Sequence, residues 1–160
     1  MSADQQLAEW KQQTLFGTDG VYTRKGGQAL DITGQTLPAF DQKVSELEEG
    51  LRTPAQRERW SIIKRNQREA LSNELAKYEF GQREQYYDEV AEGQRQTAIQ
   101  NAKLYAGDPG QVAYNLSKLQ AVEGAEAQRK GLPAELAEQQ RLASTSRLHT
   151  AVVDQLATVP

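Results

Sequence analysis

The sequence predicts an all-α protein in which one glycine-rich N-terminal loop precedes a long central helix and an antiparallel helical hairpin. Proline is absent between Pro54 and Pro109, and Gln, Glu, Arg, Lys, Ala and Leu, all good helix formers, dominate that interval. Two segments, TPAQ at 53–56 and DPGQ at 108–111, resemble helix starts, with a capping residue followed by proline and then glutamine. Only 38% of the residues are apolar, which favours thin helical architectures over a thick globular core.

Composition also limits the classes of function. The 19 basic and 22 acidic residues are interspersed, whereas a dedicated nucleic-acid surface normally has a basic stripe. The absence of cysteine excludes disulfides, thiolate zinc sites and a cysteine nucleophile. No apolar run approaches the roughly 18 residues of a membrane span, and the N-terminus does not resemble a signal peptide. We therefore expect a soluble chain that is synthesised in the cytoplasm.

The first segment, 1–52, should contain two helices separated by the glycine-rich loop. Apolar spacing predicts a helix over 3–16, capped by Ser2 or Asp4 and ended by Gly17. In the loop, β-prone residues 21–23 predict an extended bend, and QALDITG predicts one further helical turn before Gly34. A second helix is expected from about 36 to 49, because Pro38 is tolerated only in a first turn. Its apolar stripe comprises Leu37, Phe40, Val44, Leu47 and Leu51.

The second segment, 53–106, predicts a single long helix with a narrow apolar face. Gly81 and Gly93 are the positions at which this helix would kink or divide. The heptad pattern fails near Tyr78 to Tyr87, which favours partial packing against other helices over a regular coiled coil.

The third segment, 107–160, predicts the hairpin. Asp108, Pro109 and Gln111 form a predicted capping box, and GLP at 131–133 ends one helix and starts the next. A connection this short implies antiparallel neighbours. The three segments together form one continuous helical unit. The apolar ending LATVP favours either a C-terminus that packs on a partner or a chain that is part of a longer protein.

No catalytic or metal-binding constellation is found in the sequence. His149 is the only histidine, and although Ser146 shares its helical face, a nucleophile would also need an oxyanion site and a cleft. The acidic segments ELEEG and DEVAE are interpreted as solvated helix surface. RKGGQA lacks the spacing of a phosphate-binding loop. We therefore predict no enzyme activity, no cofactor and no metal.

Four residues are candidate partner contacts: Tyr22, Arg24, Lys25 and Trp60. Arg24 and Lys25 would bind a phosphate backbone or an acidic protein surface; the alternative is that they only keep the loop soluble. Trp60 lies in the locally basic helix RERWSIIKRNQR, a combination that can contact nucleic acid or a membrane surface. The alternative for Trp60 is packing within a helical bundle.

Two segments carry a family resemblance. LFGTDGVYTRKGGQALD, followed by a long Arg-, Gln- and Glu-rich helix, resembles a region of the large helical virion proteins of tailed bacteriophages. GDPGQVAYNLSKLQAVEGAEAQRKGLPAELAEQQ is similar to a helical hairpin in the same group, so the resemblance spans roughly residues 7–156. Members of this group are internal or ejection proteins, which leave the particle with the genome and help it cross the cell envelope. Some also carry a lysozyme-like domain, but its catalytic glutamate context has no counterpart here.

The resemblance implies a structural protein of the virion, synthesised in the host cytoplasm. It implies association with further copies of the chain and with other virion proteins, and weak contact with DNA. Phe16, Val21 and Tyr22 would then fold back as a plug over the helix junction, leaving Arg24 and Lys25 outside for a neighbour. The alternative for this loop is a self-packed Ω-loop that has no partner. The alternative hypothesis is a helical adaptor or chaperone-like module that presents its hairpin to a partner.

Overall fold

The computed structural model describes residues 1–158, and within them the all-α prediction is confirmed. The helices are α1 (Ala3–Phe16), α2 (Ile32–Glu48), α3 (Pro54–Leu104), α4 (Pro109–Lys130) and α5 (Ala134–Ala157). Two short 3-10 turns, Val21–Thr23 and Gly26–Ala29, lie between α1 and α2. The chain divides into two compact units, residues 1–86 and 87–160, and α3 contributes to both. The expectation that the apolar ending LATVP packs on a partner or continues into a longer protein includes Val159 and Pro160, which lie outside the described residues.

Reciprocal capping fixes the starts of α1 and α3; it was predicted for α3, whereas for α1 the sequence predicted only a cap by Ser2 or Asp4. The Ser2 hydroxyl accepts a hydrogen bond from the Gln5 amide at 3.4 Å, and the Gln5 side chain accepts one from the Ser2 amide at 3.1 Å. At α3, the Thr53 hydroxyl accepts from the Gln56 amide at 3.1 Å, and Gln56 Oε1 accepts from the Thr53 amide at 3.2 Å. Each box satisfies two amides that have no partner within the helix.

The capping box predicted for α4 is only half formed. Asp108 Oδ1 accepts from the amides of Gly110 and Gln111, at 3.0 and 3.3 Å. Gln111 does not complete the box, because the Asp108 amide donates instead to the Tyr105 carbonyl at 2.9 Å. The tight turn that ends α3 thus takes the donor that the capping box would have used.

The predicted start of α2 is wrong, since the helix begins at Ile32 and includes both Gly34 and Pro38. Its first turn is stabilised from another helix: the Thr33 amide donates to Glu79 Oε1 on α3 at 3.1 Å. Pro38 therefore lies in the second turn, where its ring nitrogen cannot donate the usual helical hydrogen bond to the Gly34 carbonyl. Local sequence rules place a proline at the first turn because they do not include a cap supplied by a distant residue.

The extended bend predicted for residues 21–23 is also wrong. The segment forms a 3-10 turn, in which the Thr23 amide donates to the Gly20 carbonyl at 3.1 Å and the Arg24 amide donates to the Val21 carbonyl at 3.0 Å. The Thr23 hydroxyl donates to the same Gly20 carbonyl at 2.6 Å. These bonds outweigh the preference of β-branched residues for extended backbone.

The first unit has a continuous apolar core formed by α1, α2, the intervening loop and the N-terminal part of α3. Trp10 packs edge-on against Phe40, with ring centroids 5.9 Å apart. The stripe predicted for α2 faces this core, which confirms the helical periodicity of that region. The buried core residues are Leu7, Leu15, Val21, Ala29, Ile32, Phe40, Val44, Leu47, Trp60, Leu71 and Leu75.

The second unit consists of the C-terminal part of α3 with α4 and α5. Its core is smaller, with Ala98, Ile99, Ala102, Leu119, Leu148 and Val152 buried together. Gly131 ends α4 in the left-handed conformation (φ 62°), and the Leu132 amide donates to the Ala127 carbonyl at 2.9 Å, which is a Schellman-type ending. The three residues 131–133 then connect α4 to α5, and the two helices pack on each other as the predicted hairpin.

Candidate interaction surfaces

The glycine-rich loop, residues 17–31, is held against α3 by polar side chains of that helix. The Tyr22 hydroxyl donates to Glu74 Oε1 at 2.6 Å. The Tyr78 hydroxyl donates to the Arg24 carbonyl at 2.6 Å, and the Gly26 amide donates to Gln82 Oε1 at 3.0 Å. The loop thus exchanges hydrogen bonds with successive turns of α3.

Arg83 extends this row of contacts. Its Nη2 donates to the Leu30 carbonyl at 3.0 Å, at the point where the loop enters α2. Its guanidinium also lies 3.6 Å from the Glu79 carboxylate that caps α2. Positions 74, 78 and 82 are spaced four residues apart and lie along one face of an α-helix. Arg83 lies about 100° further round the helix than Gln82, so this face of α3 and its flank together receive the loop.

Tyr22, predicted as a partner contact, is instead engaged inside the first unit. Its ring packs edge-on against Tyr78 at 4.9 Å and tilted against Phe16 at 5.1 Å. The pKa of Tyr22 is raised to about 12, mainly by burial and next by the hydrogen bond to Glu74. Val21 is fully buried beside it, whereas Phe16 remains 59% exposed. Val21 and Tyr22 therefore pack inward as a plug would, and Phe16 covers them from outside.

Arg24 and Lys25 differ in their environments. Arg24 is half-buried and braces the loop, with Nη1 donating to Gln35 Oε1 at 3.1 Å and Nη2 to the Asp19 carbonyl at 3.4 Å. Lys25 is exposed, and its ammonium lies 5.5 Å from the centre of the Tyr78 ring. Of this pair, Lys25 is the side chain that the structure presents to solvent, and its role as a partner contact stays a prediction.

Trp60 is a core residue. Its side chain is 3% exposed, and its indole N–H donates to Glu48 Oε1 at 3.2 Å. Lys64 binds the same carboxylate oxygen at 2.5 Å. The bundle-packing alternative is therefore correct for Trp60, and its indole is not available for a surface contact.

The second unit contains buried carboxylates that sequence reasoning missed. Glu123 and Glu126 on α4 are 4% and 7% exposed, although glutamate is almost never fully buried unless it is paired. Arg95 on α3 binds Glu123, and Arg129 binds Glu126 through two hydrogen bonds of 2.9 and 2.7 Å. The hydrogen bond from Arg129 lowers the pKa of Glu126 below its usual range.

Further ion pairs join the three helices of this unit. Asp88 on α3 lies 2.7 Å from Arg129 and 3.0 Å from Lys130 on α4. Glu92 on α3 lies 3.0 Å from Arg147 on α5. Hydrogen bonds from these basic partners lower the pKa of both Asp88 and Glu92. The spacing of Glu126 and Arg129 along one helix was visible in the sequence, but the pairing across helices was not.

A groove of about 710 Å³ lies between α3 and α4 in the second unit. Small side chains, including Ala98, Ala121 and Ala125, line much of it, together with Gly93. Asn115 also lines the groove and is 2% exposed; its Nδ2 donates to the Gln111 carbonyl at 2.9 Å. The remaining lining residues are Val90, Gln94, Thr97, Asn101, Lys118 and Val122.

An exposed stripe runs along α5 of the same unit. Its members, which we call the α5 stripe, are Leu142, Ser146, His149, Val153 and Leu156. They follow the alternating spacing of four and three residues that places side chains on one helical face, and all five are exposed. Leu142, Val153 and Leu156 are 51%, 62% and 46% exposed. His149 is therefore a surface residue of a largely apolar stripe.

Within the described residues, 1–158, no group of three or more side chains is arranged to bind a metal. None of its helices has the length and apolar composition needed to cross a membrane. Comparison with protein-family models, curated proteins and solved structures gave no match. A function for the chain must therefore be inferred from its own surfaces and from the sequence resemblance.

Proposed function

We propose that the chain is a helical structural protein of a tailed-phage particle, which assembles with itself or with other virion proteins and assists genome delivery. The observation that carries the assembly part is the exposed α5 stripe on a unit with a small core. The phage setting is supported by the resemblance of residues 15–31 and 107–140 to helical virion proteins.

Energetics favour association through this stripe. Fully burying one leucine or valine side chain stabilises a complex by roughly 1.5–3 kcal/mol, and Leu142, Val153 and Leu156 are each about half exposed or more. The core of the same unit is rich in alanine, so the chain leaves several of its larger apolar side chains outside. Contact with a neighbour would bury them.

The electrostatics of the second unit favour a mechanical role over a catalytic one. General acids and bases that work near neutral pH usually have pKa values shifted toward 7. In this unit, hydrogen bonds from arginine or lysine instead lower the pKa of the Asp88, Glu92 and Glu126 carboxyls, away from 7. These groups remain ionised and join helices to each other.

Two measurements test the proposal. Sedimentation velocity of the purified chain between micromolar and 100 micromolar concentrations should show association that increases with concentration. A single monomeric species over this range would contradict the assembly role. Mass spectrometry of phage particles purified from cells that express the encoding genome should detect the chain, and its absence from the particles would overturn the virion setting.

A specific observation also favours the alternative, a helical adaptor module. The groove between α3 and α4 is concave and lined largely by small side chains, and such grooves can receive an amphipathic helix from another protein. An adaptor would be a stable monomer or dimer that binds one partner. Sedimentation thus distinguishes the two functions, because only the assembly protein continues to associate beyond a dimer without a second component.

A further inference from the structure

We infer that the α5 stripe of one copy docks into the groove between α3 and α4 of another copy, which makes the self-association head-to-tail. This inference rests on the proposed assembly function and specifies its interface. It pairs the α5 stripe of one copy with the α3–α4 groove of the next copy.

The first argument is shape. The groove is a depression of about 710 Å³, and its walls are formed by residues of α3 and α4. Two depressions cannot fill each other, so a symmetric groove-to-groove contact would enclose an empty space and lose its packing energy. The occupant must be convex, and a helix face with projecting leucine and valine side chains has that form.

The second argument is position. Leu148 and Val152 of α5 pack against Ala98, Ile99 and Leu119 of α3 and α4. The groove shares Ala98 with this core. Its remaining lining residues, such as Gly93 and Ala121, belong to α3 and α4 outside the core, and none belongs to α5. The α3–α4 pair thus has one face covered by its own α5 and a second face open to another helix. A second α5 there would complete a four-helix arrangement, which buries apolar faces on all sides.

The third argument is polar matching. Asn115 is nine-tenths or more buried and lines the groove, yet the structure gives its side chain one hydrogen bond, from Nδ2. Its Oδ1 therefore needs a donor once the groove is closed to water. The α5 stripe offers a hydroxyl at Ser146 and an imidazole at His149 among its apolar members.

Charge supports the same pairing. Lys118 lies at the groove, with its ammonium 4.6 Å from the ring centre of Tyr114. Asp154 is exposed on α5 next to Val153, the most exposed of the apolar stripe residues. An α5 helix in the groove brings a carboxylate toward a wall that carries an ammonium. The groove and the stripe are different surfaces of one unit, so this contact is heterologous and can extend into a ring or a filament.

Two variants test this assignment, each with a matched control. Gly93→Arg fills the groove, and Val153→Lys places a cation in the stripe, where it would face Lys118. Gly124→Arg and Gln140→Lys make the same changes on exposed helical positions outside both surfaces. A Cβ added at Gly93 or Gly124 meets no atom within 4 Å, so both arginine variants should fold, which circular dichroism will verify.

The decisive measurement is a mixing experiment followed by sedimentation velocity. Gly93→Arg and Val153→Lys should each weaken self-association at least tenfold, whereas both controls should associate like the unmodified chain. A mixture of the two weakened variants should form a 1:1 dimer that grows no further, because one copy keeps its stripe and the other keeps its groove. A mixture that stays monomeric would overturn the head-to-tail contact.

The remaining outcomes separate this inference from the proposed function. If the unmodified chain associates and Gly93→Arg associates equally well, the groove assignment is wrong and the assembly role stands. If Val153→Lys alone weakens association, the stripe pairs with a surface other than the groove, and the inference fails. If the unmodified chain is monomeric throughout, both the inference and the assembly role are contradicted.

Discussion

Replacing Tyr22 by phenylalanine isolates one of the contacts that hold the glycine-rich loop to α3. The change removes a single hydroxyl, whose hydrogen bond to the Glu74 carboxylate is 2.6 Å long, and it keeps the ring that packs against Tyr78 and Phe16. Hydrogen bonds to charged groups contribute about 1.5–3 kcal/mol. Tyr22 is half-buried, so part of this energy is recovered from water. We expect Tyr22→Phe to lower the free energy of unfolding by about 1–2 kcal/mol.

The same contact predicts a dependence on alkaline pH. Folding raises the pKa of Tyr22 from 10.0 to about 12, so the folded chain keeps this proton over a range in which the unfolded chain loses it. The resulting stabilisation is fully present below about pH 10 and decreases as pH rises toward 12. The contribution of Tyr22 is the part of the pH dependence that Tyr22→Phe removes.

Urea unfolding followed by circular dichroism measures both effects. Tyr114→Phe is the matched control, because Tyr114 is 56% exposed, and we expect it to change stability by less than about 0.5 kcal/mol. Hydrogen exchange of residues 17–31 reports the loop directly and should become faster in Tyr22→Phe. Equal unfolding free energies for the two variants, with unchanged exchange in the loop, would refute a structural role for the hydroxyl.

Three further predictions concern the second unit. Arg95→Met should lower the free energy of unfolding, measured by thermal unfolding, by about 3–5 kcal/mol, because it leaves the Glu123 carboxylate buried and unpaired. Adding Glu123→Leu should recover most of this loss. A double variant that is no more stable than Arg95→Met would contradict this explanation. Gly93→Ala should stabilise the chain by about 0.5–1 kcal/mol, because its new Cβ meets no atom within 4 Å, whereas Gly131→Ala should destabilise it by about 1 kcal/mol at its positive φ of 62°. Since folding lowers the pKa of Glu126, its stabilisation is present above the usual glutamate pKa and is lost as pH falls through that range. Stability measured between pH 6 and pH 3 should therefore fall less in Glu126→Gln than in the unmodified chain.

Helix class and most helix ends were predictable from the sequence because their causes are local. The capping pairs at Ser2 and Thr53 lie within four residues of the amides that they satisfy. The start of α2 was not predictable in this way, since Glu79 caps it from 46 residues away in sequence. A rule based on neighbouring residues had to place Pro38 in the first turn, and it therefore shortened the helix.

The interaction surfaces were less predictable, because they depend on which helix faces meet. Trp60 lies among basic residues in sequence, yet helical periodicity turns its indole into the core while its charged neighbours remain outside. The four-residue spacing of Gly93 and Thr97, and of Ala121 and Ala125, is visible in the sequence. That the two sets line one groove depends on the packing of α3 against α4, which no local pattern specifies.

The two units differ in what determines their structure, and this difference bears on assembly. The first unit buries large side chains such as Phe40 and Trp60, so nonpolar burial determines its fold. The second has an alanine-rich core with the carboxylates of Glu123 and Glu126 placed between helices. Buried ion pairs add little net stability compared with apolar packing, but they penalise any alternative arrangement that separates the charges. If the chain assembles as we propose, such pairs hold the groove and the α5 stripe in place before a neighbour binds, and the ordering cost of association is lower.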